Sequence, residues 1–417
     1  MSCSGNCIDC SSCGTESREE RFNSIKTTYS SQDLSNFEYE FETYSRPYAM
    51  LLGLTNDCNL ACNYCFVKQK PEYMTYDIAE RSIEWLKENY KAKNKEGKLD
   101  IVFFGGEPLL CYEDIIVPIV NKYKDIATFS ITTNGVLLDE DKVDFFYKNN
   151  ISVLLSFDGI KKVQNSQRIG KNIDSYATVL NNIPYLLLRL PNTTMRATLT
   201  KNSLPYLYDT VLLAEELGFK IISFVPNAYE DWNEEDEIIY EQQLTKVGLH
   251  IYKSFFNRKK AIKVNPIIES YKKITSSLDN GLYFNNHLFR CGLGTTSCAI
   301  TPNGSIIPCQ EKISNPTYIL GDIYNGINPE LHNKFLSDYI KNLNNLTCNI
   351  RCSTLKECLH CISTICPSRL EDLNYNLSTS TCVFNRVTLR VANRLHLICY
   401  QRIDPVMSLY FNEQEEN

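Results

Sequence analysis

The 417-residue sequence predicts an α/β protein built on a parallel sheet. Three observations carry that reading. Six short apolar runs recur between residues 49 and 226, segments of helical period separate them, and polar or glycine residues gather just after each run. Strands alternating with helices imply right-handed parallel crossovers, and a doubly wound sheet and a partial (β/α) barrel both satisfy the pattern. In either, ligands bind beyond the carboxyl ends of the strands.

The first run, AMLLGLT at 49–55, leads into Thr55-Asn56-Asp57 and then Cys58, Cys62 and Cys65. DIAERSIEWLKENY at 77–90 has the spacing of an amphipathic helix. DIVFFGG at 100–106 ends in Gly105-Gly106-Glu107, TFSITTN at 128–134 in Thr133-Asn134-Gly135, and SVLLSFDG at 152–159 in Ser156-Phe157-Asp158-Gly159. TTMRATLT at 193–200 carries Arg196. A helix follows, with Ser203 as its expected N-cap, Pro205 in the first turn and Gly218 closing the end. KIISFVP at 220–226 finishes in Val225-Pro226-Asn227, and a further helical stretch spans 235–275.

A chain of this length implies two or more domains. Hydrophobic content of 43% suffices for their cores, and no run approaches the roughly 20 apolar residues of a membrane span. The N-terminus lacks the basic and apolar regions of a secretory signal, so a cytoplasmic location is expected. A net charge of -6 with mixed signs gives no footprint for nucleic acid. Cysteine is the outlier at 18. In a reducing compartment so many thiols point to metal rather than disulfides. Four lie at the start (Cys3, Cys7, Cys10 and Cys13), three in 58–65 and nine in 291–382, while Cys111 and Cys399 stand apart as expected core thiols.

The Cys-x3-Cys-x2-Cys spacing occurs twice. An iron–sulfur cube needs four ligands, so a loop supplying three leaves one iron open to an amine and a carboxylate. Three cysteines alone would equally suit part of a zinc site. The segment CNLACNYC, Cys58 to Cys65 with Tyr64 before the last cysteine, resembles the signature of the radical S-adenosylmethionine (radical SAM) enzymes, and the resemblance extends over residues 49 to about 227. It implies a partial (β/α)6 TIM-like barrel. It also implies that Cys58, Cys62 and Cys65 ligate a 4Fe–4S cluster and that Tyr64 sits near the adenine of S-adenosylmethionine. Gly105, Gly106 and Glu107 are similar to the family's glycine-glycine-glutamate motif, where close backbone approach lets the strand end receive the methionine amino group. Ser156 and Asp158 resemble the ribose-side positions, Arg196 the partner of the methionine carboxylate, and Val225 and Pro226 the adenine-packing segment. Asn134 lines the same pocket. The reaction so implied is one-electron cleavage of the sulfonium to a 5′-deoxyadenosyl radical that abstracts hydrogen from substrate, with flavodoxin or ferredoxin as external electron donor. The first copy has no strand before it and no aromatic before Cys10, and it continues to Cys13, so the second copy is the reactive one. Cys3 to Cys13 read as a mobile tail, a further metal site or an imitation of a cysteine-rich substrate.

In the carboxyl half, CAITPNGSIIPC predicts a hairpin around Pro302-Asn303-Gly304. With a two-residue Asn303-Gly304 loop Cys298 lies opposite Cys309; with a type I turn and a bulge at Gly304 it faces Pro308. Cys291, Gly304, Cys309 and the following LGDIYNG resemble the SPASM domain of radical SAM enzymes that modify peptides and proteins. The resemblance implies two auxiliary 4Fe–4S clusters, one on Cys291, Cys298 and Cys309, the other on Cys348, Cys352, Cys358 and Cys382. The later spacing, Cys-x3-Cys-x5-Cys-x2-Cys through Cys361 and then Cys366, departs from the family's Cys-x2-Cys-x5-Cys-x3-Cys. Either Cys361 or Cys366 would then complete the first cluster, unless it keeps an open iron; two zinc sites are the alternative. The expected organisation is a cysteine-rich segment at 1–45, the barrel at 46–232, a helical linker at 233–287, the SPASM region at 288–400 and a tail at 401–417.

Among such enzymes, peptide maturases that install thioether or carbon–carbon cross-links are set against sulfatase maturases that make formylglycine. In the latter an aspartate base follows the last hairpin cysteine. Here Gln310 stands in that place and accepts no proton, and Glu311 would point elsewhere in an extended strand. The favoured expectation is a maturase acting on a ribosomally made, cysteine-rich precursor peptide. Fewer than fifty residues precede the first strand, too few for a winged-helix leader-binding domain, so a separate leader-binding protein is one expectation. An electron carrier or iron–sulfur scaffold is the reading of another class, and Glu107 and Arg196 argue against it.

Overall fold

The computed structural model describes residues 48–90, 97–258, 261–271, 292, 294–344 and 379–401. The elements run β1 (Ala49–Gly53), β2 (Leu60–Cys62), α1 (Tyr76–Asn89), β3 (Leu99–Phe104), α2 (Val117–Tyr123), β4 (Ala127–Thr133), α3 (Glu140–Lys148) and β5 (Ser152–Ser156). Then come α4 (Lys161–Gln167), β6 (Arg168–Gly170), α5 (Ser175–Arg189), β7 (Thr194–Leu199), α6 (Leu207–Glu216) and β8 (Ile221–Pro226). The six strands expected from sequence are β1, β3, β4, β5, β7 and β8. They pair parallel in that spatial order, as a partial barrel requires. Alternation builds them: Leu99, Ile101 and Phe103 of β3 are buried, as are Ala127, Phe129 and Ile131 of β4. Thr75, Asp139 and Asp174 accept from the first free N–H groups of α1, α3 and α5 and so define where those helices begin.

The sheet extends past both ends of the six. After α7 (Glu234–Arg258) comes β9 (Lys263–Val264), parallel to β8, before helix resumes at 265–271. The single helical stretch expected at 235–275 is therefore interrupted, because Ile262 and Val264 find burial against the sheet that a continuous helix would deny them. At the other end β10 (Ser297–Ile300) lies parallel to β1, followed by β11 (Ser305–Ile307), β12 (Gly321–Asp322) and β13 (Gly326–Ile327) in antiparallel succession. The eleven strands form one sheet.

The hairpin takes the bulged register. Ala299 pairs with Ile307 and Ile300 with Ile306, which puts Pro308 opposite Cys298. Gly304 donates to Thr301 O at 2.9 Å with a φ of 85°, the left-handed position a type I turn plus bulge demands. Ser203 is not the N-cap expected. Its hydroxyl bonds back to Thr200, accepting from the N–H at 2.8 Å, and a short 3-10 turn over Leu204–Tyr206 precedes α6. Gly218, with a φ of 93°, does close that helix.

Beyond β13 lie α8 (Pro329–Asn344) and α9 (Thr379–Gln401). Helix α9 packs on α7: Tyr240 stacks on Phe384 with ring centroids 5.6 Å apart and its hydroxyl lies 2.8 Å from Thr388 Oγ1. Arg386 and Arg390 grip Glu237, and Arg390 and Arg394 grip Glu241. Ser380 Oγ donates to Asn227 O at 2.9 Å, tying the start of α9 to the end of β8. Cys382 therefore stands on a helix anchored to the barrel. Cys3, Cys7, Cys10, Cys13, Cys291, Cys348, Cys352, Cys358, Cys361 and Cys366, and the side chain of Cys399, lie outside the described residues.

Candidate active site

The loop after β1 is shaped by the residues after β3. Gly106 N donates to Thr55 O at 2.7 Å and Glu107 N to Asp57 O at 2.9 Å, so the two strand ends stay paired up to Cys58. A Cβ on Gly105 would come within 2.5 Å of Thr55 O, and one on Gly106 within 2.0 Å of Asp57 O. The glycines thus make room for the cysteine-bearing loop itself.

Glu107 is fully buried. Leu109 N (3.1 Å) and Thr133 Oγ1 (2.8 Å) donate to Oε1, and Asn134 N (2.8 Å) donates to Oε2. Burial outweighs these donors and pushes its pKa up to about 7. Because the fold disfavours the charged form, the contribution of protonated Glu107 is fully present below about pH 4.5 and is lost as pH rises through about 7. Metal-free protein should therefore lose stability between pH 5 and pH 8, and Glu107→Gln should flatten that slope. Equal slopes in urea unfolding of the two proteins would contradict the assignment.

The cysteine loop is clamped from the other side by a ribbon the sequence did not reveal. Strand β2 pairs antiparallel with β6, setting Cys62 opposite Arg168. Arg168 is buried and forms an ion pair with Asp158 Oδ1 at 3.1 Å while its guanidinium covers the Tyr64 ring at 5.5 Å. It also hydrogen-bonds Cys62. Asp158 accepts in addition from Tyr64 Oη (2.6 Å), Gln167 Nε2 (2.8 Å) and Thr198 N (2.9 Å). Asp158 thereby holds Tyr64, Arg168 and β7 in register. Ser156 sits in register beside Arg196 on β7, and both are half-buried. The Arg196 guanidinium makes no hydrogen bond or ion pair to a described residue; burial and neighbouring Arg168 lower its pKa, against the pull of Glu311. Val225 and Pro226 line the end of β8, half-buried, opposite Thr198 and Leu199.

Burial raises all three loop thiols, Cys58 to about 12 and Cys62 to about 11; Cys62 and Cys65 raise Cys58 further, and Cys65 raises Cys62 further. Thiols in this state bind metal only by releasing protons. Among the described residues no three His, Cys, Asp or Glu side chains converge tightly enough to hold a lone metal ion. The donor set suits a cluster better: three sulfurs spread around a strand end, the amide Nδ2 of Asn59 and Nε of Arg168 buried without partners, and an unpaired guanidinium suited to a carboxylate. Cys111 is buried, its thiol 3.7 Å from Leu54 O.

Cys298 is buried and Cys309 half-buried. Gln310–Lys312 form a 3-10 turn rather than an extended strand, because Ile313 must reach back to pack with Val67, Ala299 and Ile307. The turn brings Glu311 within electrostatic reach of Arg196, where an extended strand would have pointed it away. Lys68 N donates to Ser314 Oγ at 2.9 Å, so the chain after Cys65 rests on this turn.

Residues 52–223 match the family described as the Radical SAM superfamily. The radical SAM cyclopropyl synthase TigE of Paramaledivibacter caminithermalis is 26% identical over 233 residues, covering 50% of this chain and 48% of that protein. The cysteine-type anaerobic sulfatase-maturating enzyme of Clostridium novyi is 28% identical over 190 residues, covering 41% and 49%. The chain thus spans about half the length of these relatives. The structure of native anSMEcpe with bound AdoMet and Cp18Cys peptide has the same fold, with a TM-score of 0.67, 19% identity, and coverage of 85% of this chain and 99% of that one. No helix among the described residues is long and apolar enough to cross a membrane.

Proposed function

Residues 52–223 of this chain form a radical SAM domain, and from that premise we propose that the protein is a peptide maturase that installs a thioether or carbon–carbon cross-link in a ribosomally made precursor. One observation carries it: the three-cysteine loop follows β1, buried Glu107 follows β3, and Arg196, whose guanidinium is unpaired among the described residues, lies within β7 in register with Ser156 at the end of β5, all in one run of parallel strands. When bound, the 4Fe–4S cluster and S-adenosylmethionine supply an electron and a 5′-deoxyadenosyl radical. Cys58, Cys62 and Cys65 hold the cluster. The strand end at Gly105-Gly106-Glu107 would receive the ammonium and Arg196 the carboxylate of the methionine moiety, and the Asp158–Arg168 pair would keep Tyr64 in place beside them. Val225 and Pro226 shield the adenine side from water. Cys298, Cys309 and Cys382 belong to auxiliary clusters completed by cysteines outside the described residues. Gln310 favours cross-linking, since an amide cannot take the proton that formylglycine formation releases.

A second reading draws on Glu311. Its turn leaves a carboxylate within electrostatic reach of Arg196, one residue from the place where sulfatase maturases keep their base, and a cysteine-type substrate would then be oxidised there.

Anaerobic incubation with dithionite, S-adenosylmethionine and a candidate precursor should yield 5′-deoxyadenosine and a peptide lighter by two hydrogens per cross-link. A formylglycine product would move the assignment to the second reading. Absence of 5′-deoxyadenosine with a loaded cluster and every candidate peptide would end both.

A further inference from the structure

We propose that Asn134 and Asn59 form an amide relay that donates hydrogen bonds to the sulfur of the cluster on the Cys58 loop and sets how readily that cluster accepts an electron. The inference rests on the reading that Cys58 is a cluster ligand. It gives Asn134 a role different from lining the cofactor pocket.

The orientation of the relay follows from donors that cannot reverse. Val136 N donates to Asn134 Oδ1 at 3.0 Å, and a backbone N–H has no acceptor form, so that end of the amide must be oxygen. The Asn134 Nδ2 group therefore faces the cysteine loop, 2.7 Å from Asn59 Oδ1 and 3.7 Å from Cys58 Sγ. Accepting at Oδ1 turns the other end of Asn59 away, and its Nδ2 is buried with no partner. Leu60 N adds a further donor to Cys58 Sγ at 3.5 Å.

While Cys58 carries its proton, the thiol donates to Asn59 Oδ1 at 3.7 Å. Once ligated it can only accept, and Leu60 N–H and the Asn134 amide are already aimed at it. The orphaned Asn59 amide is costly while unsatisfied, and a sulfur acceptor supplied by the cluster would relieve that cost. Adding an electron increases the negative charge on cluster sulfur, so each N–H donor strengthens on reduction and raises the potential. No titration is involved; the relay acts as a fixed dipole.

The test uses the full chain, reconstituted anaerobically with iron and sulfide, as wild type, Asn59→Leu and Asn134→Leu. The midpoint potential is read from the EPR signal that S-adenosylmethionine perturbs, which separates this cluster from any other. Both variants should keep that signal and titrate at a more negative potential. The double variant should shift by less than the two single shifts combined, because one relay is broken once. An unmoved potential in Asn59→Leu with the cluster present overturns the relay while leaving the cluster assignment standing. A wild type in which no signal responds to S-adenosylmethionine overturns both. Should the variants fail to assemble, wild-type protein labelled with 15N in its asparagine amides decides: the reduced cluster should show a 15N coupling by pulsed EPR, and its absence rejects the relay.

Discussion

Gly106→Ala should strip the iron from the Cys58 loop and take S-adenosylmethionine cleavage down to background. The added Cβ would lie 2.0 Å from Asp57 O and 2.6 Å from Asp57 C, and a backbone segment cannot swing aside as a side-chain tip can. Ordinary overpacking costs about 1–3 kcal/mol, and a collision with main chain exceeds that unless the loop moves. If it moves, the Glu107 N to Asp57 O and Gly106 N to Thr55 O bonds break, and Cys58 leaves its place opposite Asn134. The expected reading is a loss of about four irons per chain after reconstitution, the content of one cube. Gly218→Ala is the control. Unlike Gly106, Gly218 has a positive φ, but the nearest neighbour of an added Cβ would be 3.9 Å away, so the change should cost about 1 kcal/mol and no iron. Equal iron in the two variants would refute the packing argument.

Arg168→Met should destabilise the protein by about 3–5 kcal/mol, because it leaves a buried carboxylate without its cation. The Asp158 side chain has no solvent exposure and that of Arg168 only 9%. The hydrogen bonds from Tyr64, Gln167 and Thr198 would remain, but neutral donors do not replace a charge. Removing both charges in Arg168→Met/Asp158→Asn, which keeps an amide oxygen to accept from Thr198 N–H, should recover part of the loss. A single-variant loss below about 1 kcal/mol in urea unfolding would mean that the pair behaves as a solvated one.

These two sites show what the sequence made legible. Gly106 stood in a motif whose neighbours sit consecutively at a strand end, and the six barrel strands announced themselves through alternation. Arg168 did neither. Its partners, Asp158 and Cys62, come from other segments, and the three-residue strand that carries it is too short to show a period. Strand β9 was hidden in the same way, two residues inside a helical pattern. The bulged hairpin was half legible: Pro302 favoured one of two registers, and the backbone bond from Gly304 to Thr301 decides between them. The setting of Glu311 was not legible, because the extended backbone stops at Cys309, where burial of Ile313 demands a turn.

The parallel pairing of β1 with β10 also has a consequence for the order of events during synthesis. Residues 49–52 are made early, yet their partners at 297–300 leave the ribosome only after nearly the whole barrel has been translated. At about 5–20 residues per second, that delay lasts on the order of tens of seconds. Throughout it, the strand leading to Cys58 has an open edge of unpaired N–H and C=O groups. The cysteine loop is thus tethered to a strand whose second edge stays open until the carboxyl-terminal hairpin has arrived.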